Sequence, residues 1–363
     1  MYGFRDELVS IRARCMRSIY RNEAETPREV LRRLAALPEA LEAPDSYGMG
    51  VLVQRLEAEV AALLGKEAAV FMTKGVAAQQ IALRLWVEQS GRAVVALHPR
   101  SHFRLDEREP LTRLHPIIEA PIGRDYEPFT LADLEALHER PGAVTVELPL
   151  RRAGYKLPSF EALAAMSAWC RRKEVPLHFD GARLWESAPY YGRSLAEISA
   201  LADSVYVSLY KGLGGLGGCV LAGSQGFIDA ARVWQTRMGA VLPTAFPLVL
   251  AGLDGLQRYL PEMPGYVARA REIALALTAI PGVRVAPEPP QTNGFHVFLP
   301  GQAAELEKRH AQLAADSGVW FFQTFAPTQV PGVTMVEIEV LSAAAVVETS
   351  EIVAAVRTLI ASS

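Results

Sequence analysis

The sequence has few of the features that mark secreted, membrane-spanning or nucleic-acid-binding proteins. Its three cysteines, Cys15, Cys170 and Cys219, are odd in number and widely spaced. This disfavours a disulfide framework and indicates buried thiols in a reducing compartment. The formal charge of -3 at pH 7 provides no basic surface for nucleic acid. We therefore expect a cytoplasmic protein that binds a small molecule and no nucleic acid.

Long apolar segments are also missing. The uncharged run 238–253 contains Pro243 and Pro247 and is shorter than the about 20 apolar residues that a membrane-spanning helix needs. Charged side chains are scattered through the first twenty residues, where a signal peptide would have an apolar core. We expect neither a membrane span nor export.

Short apolar strands and helices alternate along most of the chain. Half of the 363 residues are hydrophobic, which is enough for a large packed core. The apolar patterning predicts strands at 68–72, 93–97, 143–148, 175–179, 204–209 and 218–222. Helices are predicted between most of them. The alternation is typical of an α/β fold, with a mostly parallel sheet and helices on both faces.

Strands and helices alternate less regularly near the carboxyl end, which predicts a smaller α+β domain there. We expect three parts: a helical N-terminal segment at 1–45, a large ligand-binding domain at 46–255 and a small domain at 256–363. Within the first part, helices are predicted at 4–20 and 27–37.

Local signals fix some of the predicted helix ends. Thr26 caps the second helix, and Pro27 occupies its first turn, where the missing N–H costs nothing. Gly65 is expected to end the helix before it. Thr130 and Asp133 form a predicted capping box that opens a helix to Glu139.

Two predicted strands deliver a charged residue at their carboxyl ends. Asp180 ends one of them, and Lys211 follows the strand 204–209. Ligands bind at this edge of open α/β sheets. A desolvated lysine suits Schiff-base formation, and a carboxylate can keep a pyridine nitrogen protonated. The alternatives are a surface lysine and an aspartate that caps the following helical turn.

Two further candidates lie near strand ends. Arg183 offers a bidentate fork for an oxygen of the ring or for a substrate carboxylate, a surface ion pair being the alternative. The turn Lys74-Gly75-Val76 presents backbone N–H groups and the positive end of a helix dipole, which can hold a phosphate. Lys74 adds a positive charge, although most turns of this kind hold no ligand.

His102 follows the strand 93–97. A histidine there can stack on a flat ring or act as a general base, and it could equally cap the short helix that follows. With His98, Asp106 and His178 it invites a metal interpretation, but the spacing of these residues is not that of a recognised metal site. We expect no metal.

The glycines after Lys211 spell G-x-G-x-x-G at Gly212, Gly214 and Gly217. That pattern indicates dinucleotide binding only where a strand precedes it and a helix follows. Residues 219–223 are predicted to form a strand. We therefore reject a dinucleotide site and interpret the glycines as a flexible approach around a ligand.

In chain order, these groups resemble the threonine aldolase and β-eliminating lyase family, pyridoxal-phosphate enzymes of fold type I, the aspartate aminotransferase fold. The similarity covers roughly residues 47–239. Its most specific parts are His-x-Asp-Gly-Ala-Arg-Leu at 178–184 and Lys-Gly-Leu-Gly at 211–214. Lesser matches are Tyr47-Gly48 and Ser101-His102.

The resemblance implies roles for individual residues. Lys211, Asp180 and His102 are the catalytic candidates: Lys211 binds the cofactor covalently, Asp180 meets its pyridine nitrogen and His102 lies over its ring. Arg183 and Tyr47 are implied in substrate binding. The implied cofactor-binding set also contains Lys74, Gly75, Val76, Arg183 and Ser208.

The chain departs from the family pattern where the reaction is decided. Lys74-Gly75-Val76 replaces Ser-Gly-Thr at the phosphate, and Arg104 stands at the second histidine after Ser-His. In the family's Glu-Asn-Thr-His-Asn, the histidine is a candidate for the substrate-hydroxyl proton. Leu150 occupies its place here. Near the end, Glu337 stands in the segment where the family carries a carboxylate-binding arginine.

We expect a pyridoxal-phosphate-dependent lyase that cleaves the Cα–Cβ bond of a β-hydroxy amino acid, as aldolases do. A β-eliminating amino-acid lyase is the alternative, because elimination needs no proton from a β-hydroxyl. A degenerate cofactor-binding relative with a structural or regulatory role is an alternative of another class. The fold also implies a homodimer or homotetramer, in which Tyr47 or Arg237 reaches a neighbour's cofactor.

Overall fold

The computed structural model describes residues 2–361. Residues 1, 362 and 363, which belong to the predicted parts 1–45 and 256–363, lie outside the described residues. The strands are β1 Arg17–Ser18, β2 Ala68–Met72, β3 Val94–Leu97, β4 Ile118–Pro121, β5 Ala143–Glu147, β6 Leu177–Gly181, β7 Ser204–Ser208, β8 Cys219–Gly223, β9 Arg284–Ala286, β10 Gly294–Pro300, β11 Val319–Trp320, β12 Phe325–Pro327 and β13 Val333–Glu339.

The α-helices lie between these strands and at both ends of the chain. They are α1 Tyr2–Arg14, α2 Pro27–Ala35, α3 Val51–Leu64, α4 Gly75–Ser90, α5 His102–Leu105, α6 Pro110–Leu114, α7 Leu131–Glu135, α8 Phe160–Arg172, α9 Leu184–Tyr191, α10 Leu195–Ser199, α11 Gln225–Arg237, α12 Phe246–Arg258, α13 Met263–Thr278, α14 Ala303–Ser317 and α15 Thr349–Ile360. Short 3-10 helices span Pro38–Leu41, Arg151–Ala153 and Ser342–Val346.

The chain divides into two compact units. The larger unit runs from Thr26 to Pro261, and the smaller joins the described residues up to Glu25 to those from Glu262 onward. The predicted N-terminal segment 1–45 is thus shared between the units. Ile19 lies in the buried core of the smaller unit, whereas helix α2 contacts α12 of the larger one.

The larger unit is built on a seven-stranded sheet with the order β2-β8-β7-β6-β5-β3-β4. The strands from β4 to β7 pair in parallel, and β8 runs antiparallel to both β7 and β2. The predicted mostly parallel sheet is confirmed. The glycines before β8 lead into a strand and not into a helix. A dinucleotide site would need a helix there, so this agrees with the rejection of such a site.

Helices cover this sheet through buried apolar side chains. Residues of α4 and α11 form one core cluster with Val70, Met72 and Leu221 of the sheet, while α3 contacts β2 and β8. Helix α3 ends at Gly65, whose φ of 61° is left-handed. Glycine adopts this conformation without a side-chain clash, so the predicted helix end is confirmed.

The smaller unit contains an antiparallel sheet with the order β12-β13-β10-β9. Its core includes apolar side chains of α13 and α15. The predicted helix 4–20 is wrong in its second half, because α1 ends at Arg14 and β1 pairs in parallel with β11. A strand partner three hundred residues away cannot be read from local patterning.

The two predicted helix caps have different outcomes. Thr26 and Glu29 form a capping box at α2, whereas the helix that Thr130 caps ends at Glu135 and not at Glu139.

None of the helices within residues 2–361 has the length and apolar character needed to cross a bilayer. Over the same range, no group of three or more His, Cys, Asp or Glu side chains could hold a metal ion.

Candidate active site

One small cavity in the larger unit lies at the carboxyl ends of the parallel strands. Ligands are expected at this edge of an open α/β sheet. Its lining includes six of the residues singled out from the sequence: Gly75, Val76, His102, Asp180, Arg183 and Lys211. Gln79, Glu107, Glu147, Pro149, Ala182, Tyr206 and Tyr210 complete it.

Lys211 lies on the turn between β7 and β8 and is 8% exposed. The turn is closed by a hydrogen bond of 3.0 Å from the Gly214 N–H to the Lys211 carbonyl oxygen. A Cβ on Gly212 would overlap the carboxylate of Glu186. The glycines therefore let the backbone pass close to other buried groups while it presents the lysine to the cavity.

Asp180 lies near the end of β6 and is almost fully buried. One carboxylate oxygen accepts a hydrogen bond of 2.6 Å from the Gln79 amide nitrogen, and the other accepts one of 3.2 Å from the Ala182 backbone N–H. Asp180 thus bonds to the first residue of the turn that it was expected to cap, although the N-cap residue of α9 itself is Arg183. The hydrogen bonds hold Asp180 as an oriented acceptor.

His102 is the first residue of α5, and Ser101 is the N-cap residue of that helix. Its Nδ1 lies 2.8 Å from a carboxylate oxygen of Glu107. Burial alone would lower the pKa of His102, but the hydrogen bond to Glu107 and the negative charges of Asp180 and Glu147 outweigh it and raise the pKa. The imidazole is therefore set up to hold a proton beside the cavity.

Glu147 is a site residue that the sequence reasoning missed. It ends β5 directly beside Asp180 on β6, and its carboxylate accepts backbone hydrogen bonds from His102 at 3.0 Å and Arg151 at 3.3 Å. Burial and the neighbouring charge of Asp180 raise the pKa of Glu147 to about 7. A charged residue at the end of a predicted buried strand was the available signal.

The candidate phosphate site lies at the start of α4. Lys74 is the N-cap residue and makes no side-chain capping bond, and a Cβ on Gly75 would overlap the Tyr206 hydroxyl. Two ammonium groups lie near the Tyr210 ring, with Lys74 Nζ 5.6 Å and Lys211 Nζ 5.9 Å from its centroid. The sequence does not indicate Tyr206 and Tyr210 as site residues, because their place in the cavity depends on how β7 packs against α4.

Arg183 is buried at 5% exposure, and its Cζ lies 5.4 Å from the centroid of the Tyr155 ring. Three other predicted residues, Lys74, Ser208 and Tyr47, do not line this cavity. The Ser208 hydroxyl donates a 2.8 Å hydrogen bond to the Ala182 carbonyl oxygen, which ties the ends of β7 and β6 together. Tyr47 is 64% exposed and lines a separate cavity of about 300 Å³.

The residues around the first cavity fit pyridoxal phosphate, the cofactor that the resemblance implies. Asp180 is a buried carboxylate with oriented oxygens for a pyridine nitrogen, and Lys211 supplies an amine for the aldehyde. The first turn of α4, with a glycine where a side chain would not fit, offers backbone N–H groups to a phosphate.

Known proteins similar to this chain include a lyase family and several threonine aldolases. A model of the β-eliminating lyase family matches residues 32–300. Low-specificity L-threonine aldolase 1 of Arabidopsis thaliana is 28% identical over 259 residues, which are 69% of this chain and 72% of that protein. The low-specificity L-threonine aldolase of Eremothecium gossypii is 31% identical over 69% of this chain and 67% of its own length.

Two crystal structures are similar over nearly the whole chain. One, described as an aromatic amino acid β-eliminating lyase/threonine aldolase of Exiguobacterium sp. 255-15, has a TM-score of 0.91 and 33% identity over 97% of this chain and 99% of that one. The other, described as an L-allo-threonine aldolase of Listeria monocytogenes, has a TM-score of 0.90 at the same identity and coverage.

Proposed function

The chain belongs to the β-eliminating lyase family and is a pyridoxal-phosphate-dependent lyase, and we propose that it cleaves the Cα–Cβ bond of a β-hydroxy amino acid. The observation that carries this proposal is the meeting of Lys211, Asp180 and His102 in one cavity at the sheet edge. The threonine aldolase names of the relatives support the same reaction.

Bound pyridoxal phosphate supplies an electron sink for negative charge at the substrate Cα. Asp180 would accept the hydrogen bond of the ring nitrogen through the carboxylate that Gln79 and Ala182 orient. Lys211 would hold the cofactor covalently, and once the substrate amine has replaced it there, the freed lysine would supply the proton that Cα gains on cleavage to glycine. Gly75, Val76 and Lys74 would hold the phosphate at the start of α4.

His102 is our candidate for the proton of the substrate β-hydroxyl. Its hydrogen bond to Glu107 fixes Nδ1, so Nε2 is the atom that exchanges a proton. Because the pKa of His102 is raised, the neutral form that accepts the proton becomes available only at higher pH. The rate of cleavage should therefore increase with pH through this ionisation.

Arg183 is our candidate for the substrate carboxylate. Its guanidinium is buried beside the cavity and can make two parallel hydrogen bonds to a carboxylate. The family carries a carboxylate-binding arginine in the segment where this chain has Glu337, on β13. Arg183 would bind the substrate carboxylate in its place.

Product identification tests the proposal. The purified protein should be yellow, should fix the cofactor after hydride reduction, and should release glycine and an aldehyde from β-hydroxy amino acids. Lys211→Ala should lose the reducible link. A colourless protein that does not bind added cofactor would contradict the enzyme assignment and favour a structural or regulatory role.

β-Elimination is the second candidate because Leu150 occupies the place of the family's histidine. Leu150 is buried, and its backbone N–H bonds to the Lys156 carbonyl oxygen at 2.9 Å. Its apolar side chain cannot accept a proton from a substrate hydroxyl. A keto acid and ammonia formed from β-substituted amino acids, without glycine from β-hydroxy ones, would favour elimination over aldol cleavage.

We propose a homodimer formed through a surface around Tyr47, and a homotetramer built from two such dimers remains an outcome of the test. Exposed apolar side chains gather in two neighbouring segments, which a 3.0 Å hydrogen bond from the Tyr47 N–H to the Pro243 carbonyl oxygen joins. They are Leu41, Tyr47, Met49, Val51, Leu242 and Phe246. Such clustering is typical of protein interfaces.

Light scattering after gel filtration tests this assembly. Met49→Glu should reduce the molecular mass, while Leu275→Glu, at an equally exposed apolar position of the smaller unit, should leave it unchanged. A monomeric wild-type protein, or a dimer unaffected by Met49→Glu, would contradict the proposed surface.

We also propose a cytoplasmic location. Cys15, Cys170 and Cys219 are all free thiols, and free cysteines are typical of reducing compartments. Cell fractionation that recovers the protein outside the cytoplasm would contradict this proposal.

A further inference from the structure

A continuous chain of buried polar side chains leads from the interior of the larger unit to Asp180. The Trp86 indole nitrogen lies 2.8 Å from the Ser204 hydroxyl oxygen, which lies 2.8 Å from His178 Nδ1. His178 Nε2 lies 3.2 Å from the Gln79 carbonyl oxygen, and the Gln79 amide nitrogen lies 2.6 Å from Asp180. None of the five side chains is more than 7% exposed.

The chemistry of the two ends fixes the direction of every hydrogen bond. An indole N–H can only donate and an ionised carboxylate can only accept. The Gln79 amide therefore donates to Asp180 and its carbonyl oxygen needs a donor, which must be His178 Nε2–H. A neutral His178 then has a bare Nδ1, and the Ser204 O–H donates to it while its oxygen accepts from Trp86.

His178 is neutral because of where it lies. Burial lowers the pKa of His178 to about 4, even though the charge of Asp180 acts in the opposite direction. With the imidazole neutral, the four hydrogen bonds all point toward Asp180. The last of these bonds holds the Asp180 oxygen that faces Gln79 in one orientation.

We propose that Gln79, His178 and Ser204 are positioning residues that orient the Asp180 carboxylate for the cofactor's ring nitrogen. The role rests on the proposed pyridoxal-phosphate function, whereas the direction of the hydrogen bonds does not. The charged or titratable groups that share the cavity with Asp180 are His102, Glu107, Glu147, Arg183, Tyr206, Tyr210 and Lys211.

Nitrogen NMR of ¹⁵N-histidine-labelled full-length protein tests the direction, with and without pyridoxal phosphate. His178 should stay neutral with its proton on Nε2 from about pH 5.5 to about pH 8. Ser204→Ala should remove the donor to Nδ1 and disturb that signal. A proton on Nδ1, or titration near the ordinary histidine pKa, would overturn the proposed chain even if the protein binds cofactor.

Cofactor affinity tests the positioning role, and helix α4 offers a matched control. Gln80 is as buried as Gln79 and also bonds to a histidine, His115, at 3.1 Å, but it does not touch Asp180. Gln79→Leu should weaken pyridoxal phosphate binding by about 10- to 100-fold, the range for a lost hydrogen bond to a charged group. Gln80→Leu should change it by less than about threefold. Equal losses in the two variants would refute a specific role.

Gln79→Glu separates positioning from packing. A glutamate there can donate to Asp180 only when protonated, so its affinity deficit should grow about tenfold between about pH 6 and about pH 8.5. The Gln79→Leu deficit should stay constant with pH. A pH-independent Gln79→Glu deficit would contradict the proposal. If no variant and not even the wild type binds cofactor, while His178 keeps its proton on Nε2, the proposed function fails and the direction of the chain stands.

Discussion

Glu147→Gln is expected to remove a pH dependence of stability that Glu147 gives the wild-type protein. Burial and the charge of Asp180 raise the pKa of this carboxyl from 4.5 to about 7 in the folded state. The group therefore binds its proton more tightly in the folded than in the unfolded chain. Its contribution to stability is complete below about pH 4.5 and is lost as the pH rises to about 7.

The magnitude follows from the width of that window. Each pH unit between the unfolded and folded pKa values is worth about 1.4 kcal/mol, so Glu147 loses roughly 3 kcal/mol across it. Glutamine has no such ionisation. It can accept only one of the two backbone hydrogen bonds, from His102 and Arg151, that the carboxylate accepts, at a pH-independent cost of about 1 to 3 kcal/mol.

Urea unfolding of the cofactor-free protein at about pH 5, 6, 7 and 8 measures the effect. The free energy of unfolding of Glu147→Gln, minus that of the wild type, should rise by roughly 2 to 3 kcal/mol across this range. Glu139→Gln, at an exposed position, should give a constant difference. A constant difference for Glu147→Gln as well would refute the raised pKa, whatever the sign of that difference.

Other substitutions around the cavity should separate proton transfer, substrate binding and cofactor binding. Glu107→Gln replaces the carboxylate that raises the pKa of His102 with a neutral acceptor. The acidic limb of the kcat/KM profile should therefore move to lower pH, and an unchanged profile would count against this pair. Arg183→Lys should raise KM for the amino acid by about 10- to 100-fold because one bidentate bond is lost, with cofactor affinity unchanged by absorbance titration. Gly75→Ala should lower the free energy of unfolding by about 1 to 3 kcal/mol, measured by calorimetry, and should weaken cofactor binding. The reason is that the added Cβ would overlap the buried Tyr206 hydroxyl. Wild-type stability and affinity would exclude a close approach at this position.

Much of the larger unit could be predicted because its signals are local. Buried strands of four or five residues alternate with helices, and Gly65 ends α3 in the left-handed conformation that the sequence suggested. Asp180 and Lys211 could be placed at the same sheet edge without knowing the strand order. All parallel strands end at that edge, so finding the strand ends was sufficient.

The parts that could not be predicted depend on contacts between distant segments. Arg17–Ser18 forms a strand because Val319–Trp320 lies beside it, and the surrounding sequence gives a helical pattern. The sequence predicts Tyr206 only as a strand residue, but its hydroxyl occupies the space that a side chain at position 75, at the start of α4, would need. Tyr47 matched a family motif and nevertheless lies at a separate cavity.

Gln79 shows how a site residue can be hidden in a helix. It lies one turn after Gly75, so it shares that residue's face of α4, and this spacing was the available signal. Gln79 and Gln80 look alike in the sequence, and both are buried. Only the packing of α4 on the sheet decides that Gln79 contacts Asp180 and His178, whereas Gln80 contacts His115.

Asp180 and Glu147 lie side by side on adjacent strands, but their carboxyl groups have different hydrogen-bond partners. Asp180 receives a short hydrogen bond from Gln79, whose amide can only donate in that direction. The pKa of Glu147 is raised by burial and by the charge of Asp180 itself. The carboxylate that is oriented for the cofactor ring therefore favours a proton on its neighbour. In this cavity Glu147 is the carboxyl whose charge changes near neutral pH.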